Sequence, residues 1–109
     1  MSSGHPRFEA AYKAPATIPL AVSGDLDISG VEDFLAHAGR VLDTGTDVID
    51  VDLGGVTFLD SSGLGALVRL QKRTSTEGRQ LRLANVPRAV ARVFDMTGLT
   101  DLFAKRPES

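Results

Sequence analysis

A chain of 109 residues suits one compact core and leaves no room for a second. Hydrophobic residues make up 42% and charged residues 24%, which supports a buried core and excludes a disordered tail. A net charge of −2 without a basic stripe argues against nucleic acid or an anionic membrane as the main partner. With no cysteine, the chain has no disulfide, thiol nucleophile or thiolate metal site, which fits a reducing cytoplasm. The apolar runs fall short of the ~20 residues a membrane helix needs, and no signal peptide is read ahead of the fold.

The opening Met1-Ser2-Ser3-Gly4-His5-Pro6 reads as a frayed end. The whole chain, 1–109, is expected to be one domain with its core at about 8–104 and flexible ends at 1–7 and 105–109. Phe8, Ala10 and Tyr12 alternate with Glu9 and Lys13, which predicts a strand pairing antiparallel with the next through a turn at Ala14-Pro15. Ile18, Leu20 and Val22 then alternate with Thr17, Ala21 and Ser23, closing at Gly24. Pro19 lacks an N–H and suits an edge or a bulge. Ser29-Gly30-Val31-Glu32 matches a capping box, in which serine and glutamate satisfy two orphan helix donors. Val31, Phe34, Leu35, Ala38, Val41 and Leu42 follow at helical spacing, with Asp33, His37 and Arg40 on the other face and a stop near Thr44-Gly45. Val48 to Leu53 reads as a strand with Ile49, Val51 and Leu53 on one face and Asp50 and Asp52 on the other.

A second helix opens at Ser61, with Leu64, Leu67, Val68 and Gln71 on one side, Arg69, Lys72 and Arg73 on the other, and Gly78 as its stop. Leu81 and Leu83 alternate with Gln80 and Arg82 in another strand. Pro87 falls in the first turn of a third helix carrying Val90, Val93 and Phe94 and ending at Gly98; Leu99, Leu102 and Phe103 form a last apolar cluster. Strands alternating with helices imply parallel crossovers. Because the strands alternate rather than run continuously apolar, helices should mainly cover one face and leave the other largely wet. Asp50 or Asp52 would then meet Arg82 on that open face. The expected class is α/β, with a mixed sheet of four to five strands: an antiparallel N-terminal pair, then parallel strands.

The polar cluster worth weighing is Phe58-Leu59-Asp60-Ser61-Ser62-Gly63-Leu64-Gly65. Its plainest role is helix capping by Ser61 or Ser62, worth about 1 kcal/mol. The glycines add a second meaning, since each costs ~1 kcal/mol of helix preference relative to alanine. They fit close approach of another backbone, either the adjacent strand or a partner, and bare N–H groups beside a hydroxyl suit an anion. A catalytic serine would need a base, and the only histidines are His5, in the frayed start, and His37, in mid-helix. Gly-x-Ser-x-Gly and Gly-Lys-Ser/Thr are both absent, which excludes a nucleophile elbow and a P-loop. Asp25, Asp27 and Asp60 gather at one sheet edge, where turn and cap chemistry accounts for them better than a metal ion. No metal or cofactor is expected.

Gly24-Asp25-Leu26-Asp27, Val48-Ile49-Asp50-Val51-Asp52-Leu53, the Asp60-Ser61-Ser62-Gly63-Leu64-Gly65 stretch and Phe94-Asp95-Met96-Thr97-Gly98-Leu99 resemble the anti-sigma factor antagonists, members of the STAS domain group. The resemblance spans roughly Thr17 to Phe103. It implies a cytoplasmic, non-enzymatic regulator that binds an anti-sigma factor, itself a serine kinase that carries the ATP and Mg, and so frees a sigma factor. It implies phosphorylation at Ser61, release of the modified form, and restoration by a metal-dependent serine phosphatase. Asp27 corresponds to a family position beside the modified serine. Partner contacts are expected from Asp25, Asp27, Asp60, Ser62, Gly63, Leu64 and Gly65, with Ser62 as cap or orienting group. The same group implies an alternative: a STAS subunit or regulatory domain that binds a membrane-transporter ATPase and is not phosphorylated.

Overall fold

A computed structural model describes residues 16–105. Strand β1, Thr17–Leu26, leads into helix α1, Val31–Asp43; β2, Val48–Leu59, into α2, Ser61–Thr76; and β3, Gln80–Ala84, into α3, Arg88–Thr97. A 3-10 turn, Thr100–Leu102, precedes a two-residue strand β4, Ala104–Lys105. The sheet order is β1-β2-β3-β4 and every pairing is parallel. The mixed sheet with an antiparallel pair is therefore not what the described residues form, and the segment 8–13 expected to supply the extra strand lies outside them.

One face of the sheet carries the core. Ile49, Val51, Leu53, Leu81 and Leu83 meet Phe34, Ala38 and Leu42 of α1, Leu64, Leu67 and Leu70 of α2, and Val90 and Phe94 of α3. Phe103 completes the last apolar cluster by stacking on Phe94, ring centroids 5.3 Å apart. Gly98 ends α3 in the left-handed region, φ 73°, where glycine carries no Cβ penalty.

The opposite face is not as wet as the alternation suggests. Val48, Asp50 and Ala84 are buried yet stand outside the apolar core. Asp50, 5% exposed, is directly opposite Arg82 in register and accepts from its guanidinium at 2.6 and 2.9 Å. That two-pronged bond, the expected cross-strand pair, raises the Arg82 pKa.

Three local expectations need correction. Ser29 does not cap α1: the helix starts at Val31 with Gly30 at its N-cap and no side-chain cap. Pro87 is the N-cap of α3 rather than a residue of its first turn. And β2 runs past Leu53 to Leu59, continuing beside β1 after register shifts between Ala21 and Ser23 and between Gly24 and Asp25. Pro19 sits in β1, at the edge of the described sheet, where its missing N–H removes no bond from a central ladder.

Candidate functional site

Because β1 and β2 are parallel and Leu26 pairs with Leu59, the chain leaves both strands at the same sheet edge. Asp27 follows one strand and Asp60 the other. Open parallel sheets present their ligand and partner sites at this carboxyl edge.

Asp60 is extended (φ −105°, ψ −174°), and its Oδ1 accepts from the Gly63 N–H at 3.0 Å, so the aspartate is the N-cap of α2. Neither serine does that work. Ser61 and Ser62 occupy the first two helical positions, Ser61 exposed and Ser62 half-buried. Among the described residues neither hydroxyl has a hydrogen-bond partner. The expectation that a serine caps this helix is thus corrected: Asp60 stands at the N-cap, its carboxylate takes the N3 amide, and both serines are released.

The two glycines have opposite surroundings. A Cβ on Gly63 would lie 2.1 Å from the Leu26 carbonyl oxygen and 2.8 Å from a Leu59 methyl, so Gly63 lets α2 seat against the end of β1. A Cβ on Gly65 would meet nothing within 4 Å. Only the first glycine is explained by internal packing.

Asp25 accepts from the Thr57 hydroxyl at 2.9 Å, tying the ends of β1 and β2 together. Asp27 accepts from Ser29 twice at Oδ1, from the hydroxyl at 2.7 Å and the amide at 3.0 Å. The hydroxyl bond is the main cause that holds the Asp27 carboxyl below its ordinary pKa, and the Ser29 and Gly30 amides add to it.

A groove of about 570 Å³ opens between α1 and α2. Ser61, Ser62, Gly65, Ala66 and Arg69 form one wall; Ile28, Val31, Glu32 and Leu35 form the other. Ile28 is 78% exposed at its rim. Of the residues expected to touch a partner, Ser62 and Gly65 line this groove beside Ser61. Leu64 points into the core and Gly63 under β1. Asp25 lines a separate cavity of about 310 Å³ with His37, whose Nδ1 lies 2.8 Å from the Asp33 carbonyl. Ile28, Glu32, Leu35 and Arg69 were missed from sequence. Arg69 was legible, being seven residues after Ser62 on one helical stripe.

A family profile described as "Mlab, STAS domain" matches residues 10–104. The anti-sigma-B factor antagonist of Staphylococcus epidermidis is 33% identical over 81 residues, covering 74% of this chain and 75% of that protein. An anti-sigma factor antagonist from Mycobacterium paratuberculosis has the same fold, with a TM-score of 0.74, 24% identity, and coverage of 88% of this chain and 81% of that one. So does a sulfate transporter family protein from Wolinella succinogenes, with a TM-score of 0.68, 20% identity, and coverage of 84% and 75%. Among the described residues no helix is long and apolar enough to cross a membrane. The chain belongs to the STAS domain family and, within it, to the anti-sigma factor antagonists.

Proposed function

We propose that this domain is a partner-switching antagonist: unmodified, it docks an anti-sigma factor that is also a serine kinase, and phosphorylation at Ser61 ends the complex. The observation that carries the reading is the free, exposed Ser61 hydroxyl on the wall of the groove, left unengaged because Asp60 takes the cap. The γ-phosphoryl group of ATP would pass to the Ser61 oxygen and the hydroxyl proton to a base, with ADP leaving. Among the described residues no histidine lies beside the serine: His37 lines the other cavity. Nucleotide, Mg and base therefore belong to the partner, the domain acts as substrate rather than enzyme, and a serine phosphatase resets it in the cytoplasm.

The switch acts on the interface, not on folding. A phosphate adds about −1.5 to −2 charges. At a helix N-terminus it gains ~0.3–1 kcal/mol from the dipole, and solvent-screened repulsion from neighbouring carboxylates opposes that. Neither approaches the ~5–15 kcal/mol that holds a domain together. Pressed into a docked interface, the same dianion costs several kcal/mol.

With the cognate kinase and ATP-Mg, mass spectrometry should place phosphate on Ser61; phosphate on Ser62 or Thr57 alone sinks the assignment. Ser61→Asp should melt within a few degrees of wild type yet lose most kinase affinity, while Ser61→Ala should bind constitutively. Gly65→Phe should block docking without changing the circular dichroism spectrum. A transporter ATPase that binds wild type and Ser61→Asp alike, with no phosphate on Ser61, would replace this reading with the transporter one.

A further inference from the structure

Among the described residues, the groove between α1 and α2 is lined by one cation, Arg69, and one acid, Glu32, on the opposite wall. Three other arginines are already engaged: Arg73 with Glu77 at 3.0 Å, Arg79 with the Leu42 carbonyl, and Arg82 with Asp50. Arg69 is exposed and has no hydrogen bond or ion pair among the described residues.

Its position relative to Ser61 is set by the helix. Eight residues at ~1.5 Å rise place the two about 12 Å apart along the axis. Helical side chains lean toward the N-terminus, so Arg69 leans toward the serines. Ser61 leans the same way, so the contact needs its phosphate to fold back over the first turn of α2 toward an extended arginine. Gly65 lies in the path, and nothing occupies the 4 Å around the place where its Cβ would be. A side chain there would stand between arginine and serine; its absence leaves a bare track.

This inference rests on phosphorylation of Ser61 and deepens it. We propose that Arg69 is the internal reader of the modification: a phosphate on Ser61 draws the Arg69 guanidinium along the bare flank of Gly65, and the folded-back side chain fills the groove a partner would enter. The planar guanidinium matches phosphate oxygens with two parallel N–H bonds, the strongest class of charge-assisted contact. Glu32, on the opposite wall, repels the same phosphate, and among the described residues lining the groove Arg69 is the one that attracts it. Release then has two causes, the added charge and a groove occupied from within.

The test installs phosphoserine at position 61 during synthesis, so that no kinase is required, and follows the phosphate by ³¹P NMR as pH is varied. In wild type the second phosphate pKa should lie about 0.5–1 unit below that of the Arg69→Gln protein, a roughly three- to tenfold change in proton affinity. Arg69→Lys should recover part of the difference. The Arg69 Nε–H resonance should shift only after phosphorylation, as the guanidinium takes up the phosphate. Unmodified wild type and Arg69→Gln should melt together, since Arg69 holds nothing in that state. Equal phosphate pKa values in wild type and Arg69→Gln, or an Arg69 Nε–H resonance unmoved by phosphorylation, overturn the proposal. Failure of the underlying reading looks different: the native kinase would leave Ser61 unmodified while the synthetic phosphoserine still pairs with Arg69.

Discussion

The two strand-to-helix junctions at the carboxyl edge use the same three residue types and reach opposite results. After β1, Asp27 takes the Ser29 hydroxyl and amide, and α1 starts at Val31 behind Gly30, without a side-chain cap. After β2, Asp60 takes the Gly63 amide, α2 is capped, and both serines are left unengaged. Each junction also sets a glycine against a carbonyl near the end of β1: Gly30 Cβ would come to 3.1 Å from the Asp25 oxygen, and Gly63 Cβ to 2.1 Å from that of Leu26. An aspartate that bonds its own serine engages a hydroxyl; an aspartate that caps the helix leaves the neighbouring hydroxyls unengaged. Among the described residues, only the second junction leaves its serine hydroxyls without a hydrogen-bond partner.

The glycines separate the junctions most strongly. Gly63→Ala forces a Cβ into a backbone carbonyl that cannot swing aside, so it should destabilise at or above the upper end of the ~1–3 kcal/mol seen for overpacking. Gly30→Ala needs a shift of only a few tenths of an ångström and should cost clearly less. Gly65→Ala, with open space around it, should stabilise by ~0.5–1 kcal/mol through the helix preference of alanine. Urea denaturation of the three variants gives the order directly. A Gly63→Ala protein as stable as Gly30→Ala would mean that α2 is not seated on β1 in this way.

Next in size is the cap. Asp60→Ala should cost ~1 kcal/mol, while Asp60→Asn, an equally good N-cap, should be close to neutral. At the other junction Ser29→Ala should stay within about 0.5 kcal/mol, as an exposed substitution away from a cap. A loss of 1 kcal/mol at Ser29 would restore the capping box read from Ser29-x-x-Glu32 and erase the difference between the junctions.

That capping box marks where sequence reading stopped. The periodic segments were legible because apolar spacing of 3.6 or 2 reports which side faces a core, and α1, α2, α3, β3 and the Asp50–Arg82 pairing followed from it. The junctions were not, because Ser, Asp and Gly each suit several roles and only the geometry of the incoming strand decides which donor a carboxylate reaches. Asp60 stood in plain view, but the two hydroxyls beside it were equally acceptable caps by residue type. Strand β4 carries just two residues and no period to detect. The continuation of β2 from Gly54 to Leu59 begins with two glycines, which read as a break; Gly55 is instead the place where β2 packs on Ser23, 2.9 Å from its would-be Cβ. The groove drew Ile28 and Glu32 from the first junction, an assembly invisible until both junctions shared one edge.

The smallest expected effect is also the most direct measure of what Asp27 does. Hydrogen bonds from Ser29, the hydroxyl first, hold its carboxyl below the ordinary value. An unfolded aspartate titrates near ~3.9, so the folded chain binds this proton less readily than the unfolded one. The ionised Asp27–Ser29 contact therefore contributes stability that is fully present above about pH 4 and is lost as pH falls through the depressed folded pKa. The group remains in contact with solvent, so the effect on global stability is slight and the titration itself is the better readout. Carbon-detected NMR should find the Asp27 carboxyl titrating below the ordinary aspartate range in wild type. In Ser29→Ala the depression should shrink, because the main bond is gone and only the weaker amide contributions remain. Asp27→Asn should fall slightly below wild type in stability above pH 5, since the ionised contact is gone, and should lack the acid-side decline that this contact produces. An unchanged Asp27 titration in Ser29→Ala would show that the serine hydroxyl is not held there, and Ser29 would then be as free as Ser61.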